Sequence, residues 1–180
     1  MDPLVSPKIV NVVMTSSLNQ SVDISSFSKY PWGIYDGITY GGVCGYFKTP
    51  EINGKISIFA NGKMISVGSK SIQQAKDSLD NAKFHLVQSK LIENLKLKKY
   101  VKNIVATLTL DIVLDLNKIS KKIASSEYNP ERFVGLILKS DDQPSFIIYS
   151  SGKIIIAGAT SLKNLKNAST FIQSILKKHN

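Results

Sequence analysis

The side chains able to do chemistry in this chain are mostly cations. There are 23 basic residues against 13 acidic ones, a formal net charge of +10, and Arg132 is the one arginine. Such an excess suits a polyanion, either nucleic acid or a membrane surface, and equally suits an ordinary lysine-rich solvated surface. Covalent chemistry has little to work with. The histidines are His85, inside a helical pattern, and His179, near the end, and Cys44 is the single cysteine. They form neither a metal-ligand spacing nor a nucleophile–base pattern, so no enzyme and no cofactor are expected. Gly41-Gly42 lacks the rest of any phosphate-binding loop. A lone cysteine excludes an internal disulfide and points to a reducing compartment. No run approaches the roughly 18 apolar residues of a membrane span. The start, M-D-P-L-V-S-P-K, has no leader pattern.

Three of the lysines, Lys63, Lys70 and Lys153, sit in a stretch that occurs twice. Residues 58–71 read I-F-A-N-G-K-M-I-S-V-G-S-K-S, and residues 148–161 read I-Y-S-S-G-K-I-I-I-A-G-A-T-S, at an offset of 90. Each copy is predicted to be two strands joined at Asn61-Gly62 or Ser151-Gly152, then a second glycine and a serine that can cap a helix. Strand alternation places Phe59, Lys63, Ile65 and Val67 on one face and Ile58, Met64 and Ser66 on the other. In the second copy Tyr149, Ser151, Lys153, Ile155 and Ala157 oppose Ile148, Ile154 and Ile156. Both faces are largely apolar. A sheet buried on both sides would explain this, as would a sheet with helices on one face and a ligand on the other.

The elements that must position these strands also recur. Residues 8–18 read as a strand with Val10, Val12 and Met14 on one side and Asn11, Val13 and Thr15 on the other. Asp23 caps a short helix carrying Ile24 and Phe27, residues 31–42 are a loop, and a strand is expected from Tyr40 to Lys48. Ser71, with Gln74 placed for a capping box, opens a helix whose inner face is Ile72, Ala75, Leu79, Ala82 and Leu86. Residues 94–102 read as a basic connection. The order then repeats: a strand at 102–111 matching the first at an offset of 92, a helix capped by Asp115, the second copy of the hairpin, and a helix opened by Ser161.

The expected organisation is therefore two repeats, residues 1–93 and 94–180. The expected fold is α+β, two pseudo-symmetric repeats forming one curved antiparallel sheet with helices on the convex face. The uncovered face would hold Asn11, Val13, Thr15, Asn103, Val105, Thr107 and the alternating hairpin residues. It would be apolar, free of acids and rimmed by lysines. A duplex minor groove, with a backbone on each side, is a ligand of that form.

The segments V-K-N-I-V-A-T-L-T-L at 101–110, E-Y-N-P-E-R-F at 127–133 and I-I-Y-S-S-G-K-I-I-I-A-G-A at 147–159, with their first-half counterparts, resemble the TATA-box-binding protein core of archaeal type. The resemblance runs from about Pro7 to Lys178 and is weaker over residues 19–57. It implies a saddle whose concave sheet lies on the minor groove of A·T-rich promoter DNA and kinks it with aromatic wedges. Those wedges correspond to Tyr40, Phe59, Phe133 and Tyr149. Asn11 and Asn103 match asparagines that donate to base edges, and Val13, Val105, Ile65 and Ile155 match residues that press on the groove floor. Lys63, Lys70, Lys139 and Lys153 match phosphate contacts, and Thr15, Thr107, Asn61 and Ser151 complete the DNA-contacting set.

There are departures. Val67 and Ala157 stand where the family has threonines, and Tyr46 stands at an arginine position. The implied partners are transcription factor B, through Glu127, Asn129, Glu131 and Arg132, and the RNA polymerase pre-initiation complex. Asn129 and Arg132 replace an acidic and an apolar residue there. Such a factor would be cytoplasmic and nucleoid-associated, or nuclear in a eukaryote, without a membrane partner. The rival reading is a regulatory paralogue acting mainly through protein–protein contacts, with weak DNA binding.

Overall fold

The computed structural model describes residues 4–52 and 54–179, and the side chains of Thr39 and Tyr40 lie outside that description. The chain divides into two compact units, Asn11–Lys102 and the stretch from Asn103 onward joined by the segment up to Val10.

The first unit holds strand β1 (Lys8–Ser17) from Asn11 onward, β2 (Gly33–Tyr35), β3 (Cys44–Phe47), β4 (Lys55–Phe59), β5 (Lys63–Ser69) and helix α1 (Ile72–Gln88), and it ends within the first residues of β6 (Lys99–Thr109). Strands β1 to β5 pair antiparallel in the order β2-β3-β4-β5-β1. The second unit has β6 from Asn103 onward, helix α2 (Leu116–Lys122), β7 (Ser126–Glu127), β8 (Leu136–Ser140), β9 (Gln143–Ile148), β10 (Lys153–Ala159) and helix α3 (Leu162–His179). Its order, β6-β10-β9-β8-β7, repeats that of the first.

One face of each sheet is closed by its helix. In the first unit α1 packs on β4 and β5. Val12, Met14, Ile56, Ile58 and Met64 meet Ala75, Leu79, Ala82 and Leu86 there, all fully buried. In the second, α3 lies on β9 and β10. Ile104, Phe146, Ile148, Ile154 and Ile156 are buried with Leu165, Ala168, Ile172 and Leu176. The period-2 and helical patterns of the sequence predict these sets, because one face of each element must leave water. Leu162 is apolar yet stays outside this core. Standing in the first turn of α3, it is 56% exposed.

The caps fix where the hairpins deliver the chain. Ser71 Oγ accepts from the Gln74 N–H at 3.0 Å, and Ser161 Oγ from the Asn164 N–H at 3.1 Å. The reciprocal bond falls one residue earlier than a capping box puts it. Gln74 Oε1 accepts from the Lys70 N–H at 2.7 Å, and Asn164 Oδ1 from the Thr160 N–H at 3.2 Å.

Three local expectations are corrected. The loop over 31–42 contains β2, which pairs with β3. The strand expected from Tyr40 begins only at Cys44, because residues 39–42 form a 3₁₀ turn in which Gly41 and Gly42 take φ of +62° and +72°, values that no extended strand has. The basic connection over 94–102 is already strand from Lys99.

Candidate nucleic-acid interface

The face of each sheet away from its helix is open, and the strand registers line up its side chains. In the first unit Thr15, Ile65, Ser57, Tyr46 and Ile34 stand opposite one another across five strands. In the second unit the row is Thr107, Ile155, Ile147, Ile137 and Glu127. All ten are half-buried or exposed. The apolar members are thus held at the surface by the alternation that buries their neighbours. Glu127 corrects the expectation of a face without acids, because β7, two residues long, pairs it with Ile137.

Beside each row a bulge sets an asparagine. The β1–β5 register shifts between Val12 and Met14, and the β10–β6 register between Ala157 and Ala159. Gly68 and Gly158 take φ of +99° and +105° at these points, a conformation that costs a residue with a Cβ far more than glycine. Their N–H groups donate to Asn11 Oδ1 and Asn103 Oδ1, each at 2.8 Å. A backbone donor on the oxygen fixes which way each amide points. The NH₂ end of each is then left to donate elsewhere, and among the described residues it meets no acceptor. Val13 and Val105 follow two positions along the same face, half-buried. Val67 is 39% exposed opposite Lys55, and Ala157 lies opposite Val105 and Ser145.

The hairpin tips carry the lysines. The Gly62 N–H bonds Phe59 O at 2.8 Å, and the Gly152 N–H bonds Tyr149 O at 3.0 Å. Each turn is thus tightened, and the next residue, Lys63 or Lys153, leaves at the start of a strand. Asn61 Oδ1 accepts from the Lys63 N–H at 3.1 Å. Lys63, Lys70, Lys139, Ser151 and Lys153 are exposed.

The aromatic positions lie at the outer ends of the strands. Phe59 closes β4, half-buried. Phe133 is 38% exposed, and its ring meets Tyr149 edge-on with centroids 6.3 Å apart. Beneath them is Gly135, where a Cβ would come within 2.8 Å of Phe133 and 3.3 Å of Tyr149. The absent side chain is the seat of this aromatic pair. Tyr40, the fourth wedge position, has its side chain outside the described residues.

Asn129, Glu131 and Arg132 form a tight turn with Phe133. Asn129 Oδ1 accepts from the Glu131 N–H at 3.1 Å, and Asn129 O accepts from the N–H groups of Arg132 and Phe133 at 3.1 and 2.9 Å. Glu127, Asn129, Arg132, Phe133, Gly135 and Ile137 enclose a hollow of about 200 Å³. The residues expected to meet a protein partner thus adjoin those expected to meet DNA. Sequence reasoning passed over Ser57, Ile137 and Ile147 on the open face, although the alternation that singled out Phe59 and Tyr149 also reaches them.

Elsewhere His85 and Cys44 have packing roles. His85 lies against Phe47, Phe84 and Trp32, with ring centroids at 5.3, 5.6 and 6.2 Å. Burial pushes the Cys44 thiol up from its ordinary value, which keeps it protonated. Among the described residues no group of His, Cys, Asp and Glu could hold a metal ion, and no helix is long and apolar enough to cross a membrane.

A strand order that repeats with its face open, matched asparagines, lysine-bearing hairpin tips and aromatic ends define a duplicated antiparallel α+β module. The family model for transcription factor TFIID (or TATA-binding protein, TBP) matches residues 6–87 and again 98–179. A TATA-box-binding protein of Cenarchaeum symbiosum (strain A) is 40% identical, over 94% of this chain and 93% of its own length. That of Pyrodictium occultum is 31% identical, over 98% of this chain and 89% of its own. The solved structure of Methanococcus jannaschii TBP aligns with a TM-score of 0.85 at 27% identity, over 96% of this chain and 99% of that one. The chain belongs to the TATA-binding protein family, in which its two repeats are both recognisable.

Proposed function

We propose that this protein is a transcription initiation factor that binds the minor groove of A·T-rich promoter DNA. Each repeat, residues 1–93 and 94–180, supplies half of the contact surface. The observation that carries the reading is the pair of oriented amides, Asn11 and Asn103, each with its oxygen engaged by a glycine N–H and its donor end on an open apolar face. The floor of an A·T minor groove offers only acceptors, the N3 of adenine and the O2 of thymine, so an outward donor is what it can use. Ile65, Ile155, Val13 and Val105 press on the groove floor, where the exocyclic amine of guanine would collide with them.

Phe59, Phe133 and Tyr149, with Tyr40, enter the outer base steps and kink the duplex. The cost of unstacking is offset by the surface that the bent DNA then covers. Lys63, Lys70, Lys139 and Lys153 meet phosphates, which position the protein without reading sequence. Glu127, Asn129, Glu131 and Arg132 face transcription factor B, through which the bound factor recruits RNA polymerase. The protein acts at the nucleoid.

An anisotropy titration of the full chain on an A·T-rich duplex at several salt concentrations tests this reading. With roughly six phosphates neutralised, the log–log slope is expected near −5. A slope near zero, or equal affinity for A·T-rich and G·C-rich duplexes, would favour the paralogue that acts through protein contacts.

A further inference from the structure

The open faces of the two units match in strand order and register and differ in charge. On the first, Lys55 stands opposite Val67, exposed, with its ammonium 3.6 Å from the centroid of the Tyr46 ring. The equivalent of Lys55 in the second unit is Ser145, opposite Ala157. The equivalent of Tyr46 is Ile137, since Tyr46 faces Ser57 as Ile137 faces Ile147. At the outer end of the row Ile34 stands on the first face and the acid Glu127 on the second. One face therefore gains a cation where the other has a hydroxyl, and the other gains an anion where the first has an aliphatic residue.

The ring matters as much as the charge. A tyrosine face attracts an ammonium through its quadrupole and occupies one side of it. The remaining N–H donors point away from the ring, available to an oxygen anion. The contact also narrows the rotamer freedom that an exposed lysine otherwise gives up on binding. Beside the pair, Ile34, Thr49, Ile52 and Gly54 border a hollow of about 340 Å³, so the ammonium is approachable from the open side.

We infer that Lys55, held in place by Tyr46, is a phosphate-contacting residue that the second unit lacks, so that the first unit carries the larger electrostatic share of DNA binding. The inference rests on the function proposed above. Lys55 makes the contact, and Tyr46 is a positioning residue that acts through it.

Salt dependence separates a phosphate contact from a structural role. The full chain and its Lys55→Ala variant are titrated on one A·T-rich duplex from about 50 to about 200 mM salt. Losing one phosphate contact makes the slope shallower by about 0.9, so the affinity ratio of the two proteins shrinks roughly 3.5-fold across that range. The loss should be the same on a G·C-substituted duplex, because a phosphate contact carries no base information. Lys55→Arg should keep the wild-type slope, and Ser145→Lys should steepen it by about 0.9. Tyr46→Leu should weaken binding and reduce the further effect of Lys55→Ala. A Lys55→Ala slope equal to that of the wild-type chain overturns the inference and leaves the proposed function standing. A wild-type chain without salt-dependent binding overturns both.

Discussion

Replacing Asn11 and Asn103 together by aspartate is expected to abolish binding to A·T-rich duplex while the fold stays intact. The substitution keeps the atom that each bulge needs. Gly68 N–H and Gly158 N–H, now 2.8 Å from the amide oxygens, would find a carboxylate oxygen in the same place, and a charged acceptor makes such a bond stronger. The side of the amide that matters for DNA is inverted. Two donors become acceptors and bring charge to a groove floor that offers only acceptors. An unmatched polar group in a closed interface costs about 1–3 kcal/mol. Two such sites therefore lower affinity by roughly 25-fold at the least, at tenfold per 1.4 kcal/mol. Circular dichroism and a urea midpoint check that the chain still folds. A folded double variant that binds as tightly as the wild type would show that the asparagines serve the bulges alone.

The second large effect concerns bending. Phe59→Ala with Phe133→Ala should leave a protein that still associates with DNA through its lysines and no longer kinks it. The aromatic pair of the second unit is seated over Gly135, and Phe133 is partly exposed, so removing Phe133 empties the end of the sheet without opening the core beneath α3. Unstacking one base step costs a few kcal/mol, and the wedges offset it by filling the gap. Without them the straight duplex is preferred, and the contacts that depend on the bend are lost too. Energy transfer between dyes at the ends of a short duplex should return to the value of free DNA. Unchanged transfer in a folded double variant would mean that Tyr40 and Tyr149 suffice, or that the sheet bends DNA without wedges.

How much of this could be read from the chain depended on range. The hairpin faces at 58–67 and 148–157 were legible because alternation over seven residues and a glycine turn agree. The helices were legible from Ser71 and Ser161 and from inner faces four or five residues long. The very short strands were not. Three residues in β2 and two in β7 carry no period, and β7 is what brings Glu127 beside Ile137. Nor could local pattern reveal contacts made only between paired strands, such as Asn11 with Gly68 or Lys55 with Tyr46. The asparagines could be singled out in advance, since Asn11 and Asn103 recur at one offset in the two repeats and match the asparagines that the resemblance marks. Which end of the amide was committed to the protein could not. That depends on a bulge, and a bulge exists only when two strands are paired.

The central claim is that these faces read the minor groove, and base substitution can test it without altering the protein. Inosine lacks the exocyclic amine of guanine, so an I·C pair presents an A·T-like minor groove and a G·C-like major groove. Affinities are measured for three duplexes of one design, with A·T, I·C or G·C pairs at the centre. The I·C duplex should bind within about threefold of the A·T duplex, while the G·C duplex loses about 1–3 kcal/mol for each pair changed. An I·C duplex that binds as poorly as the G·C duplex would place the contacts in the major groove and contradict the account.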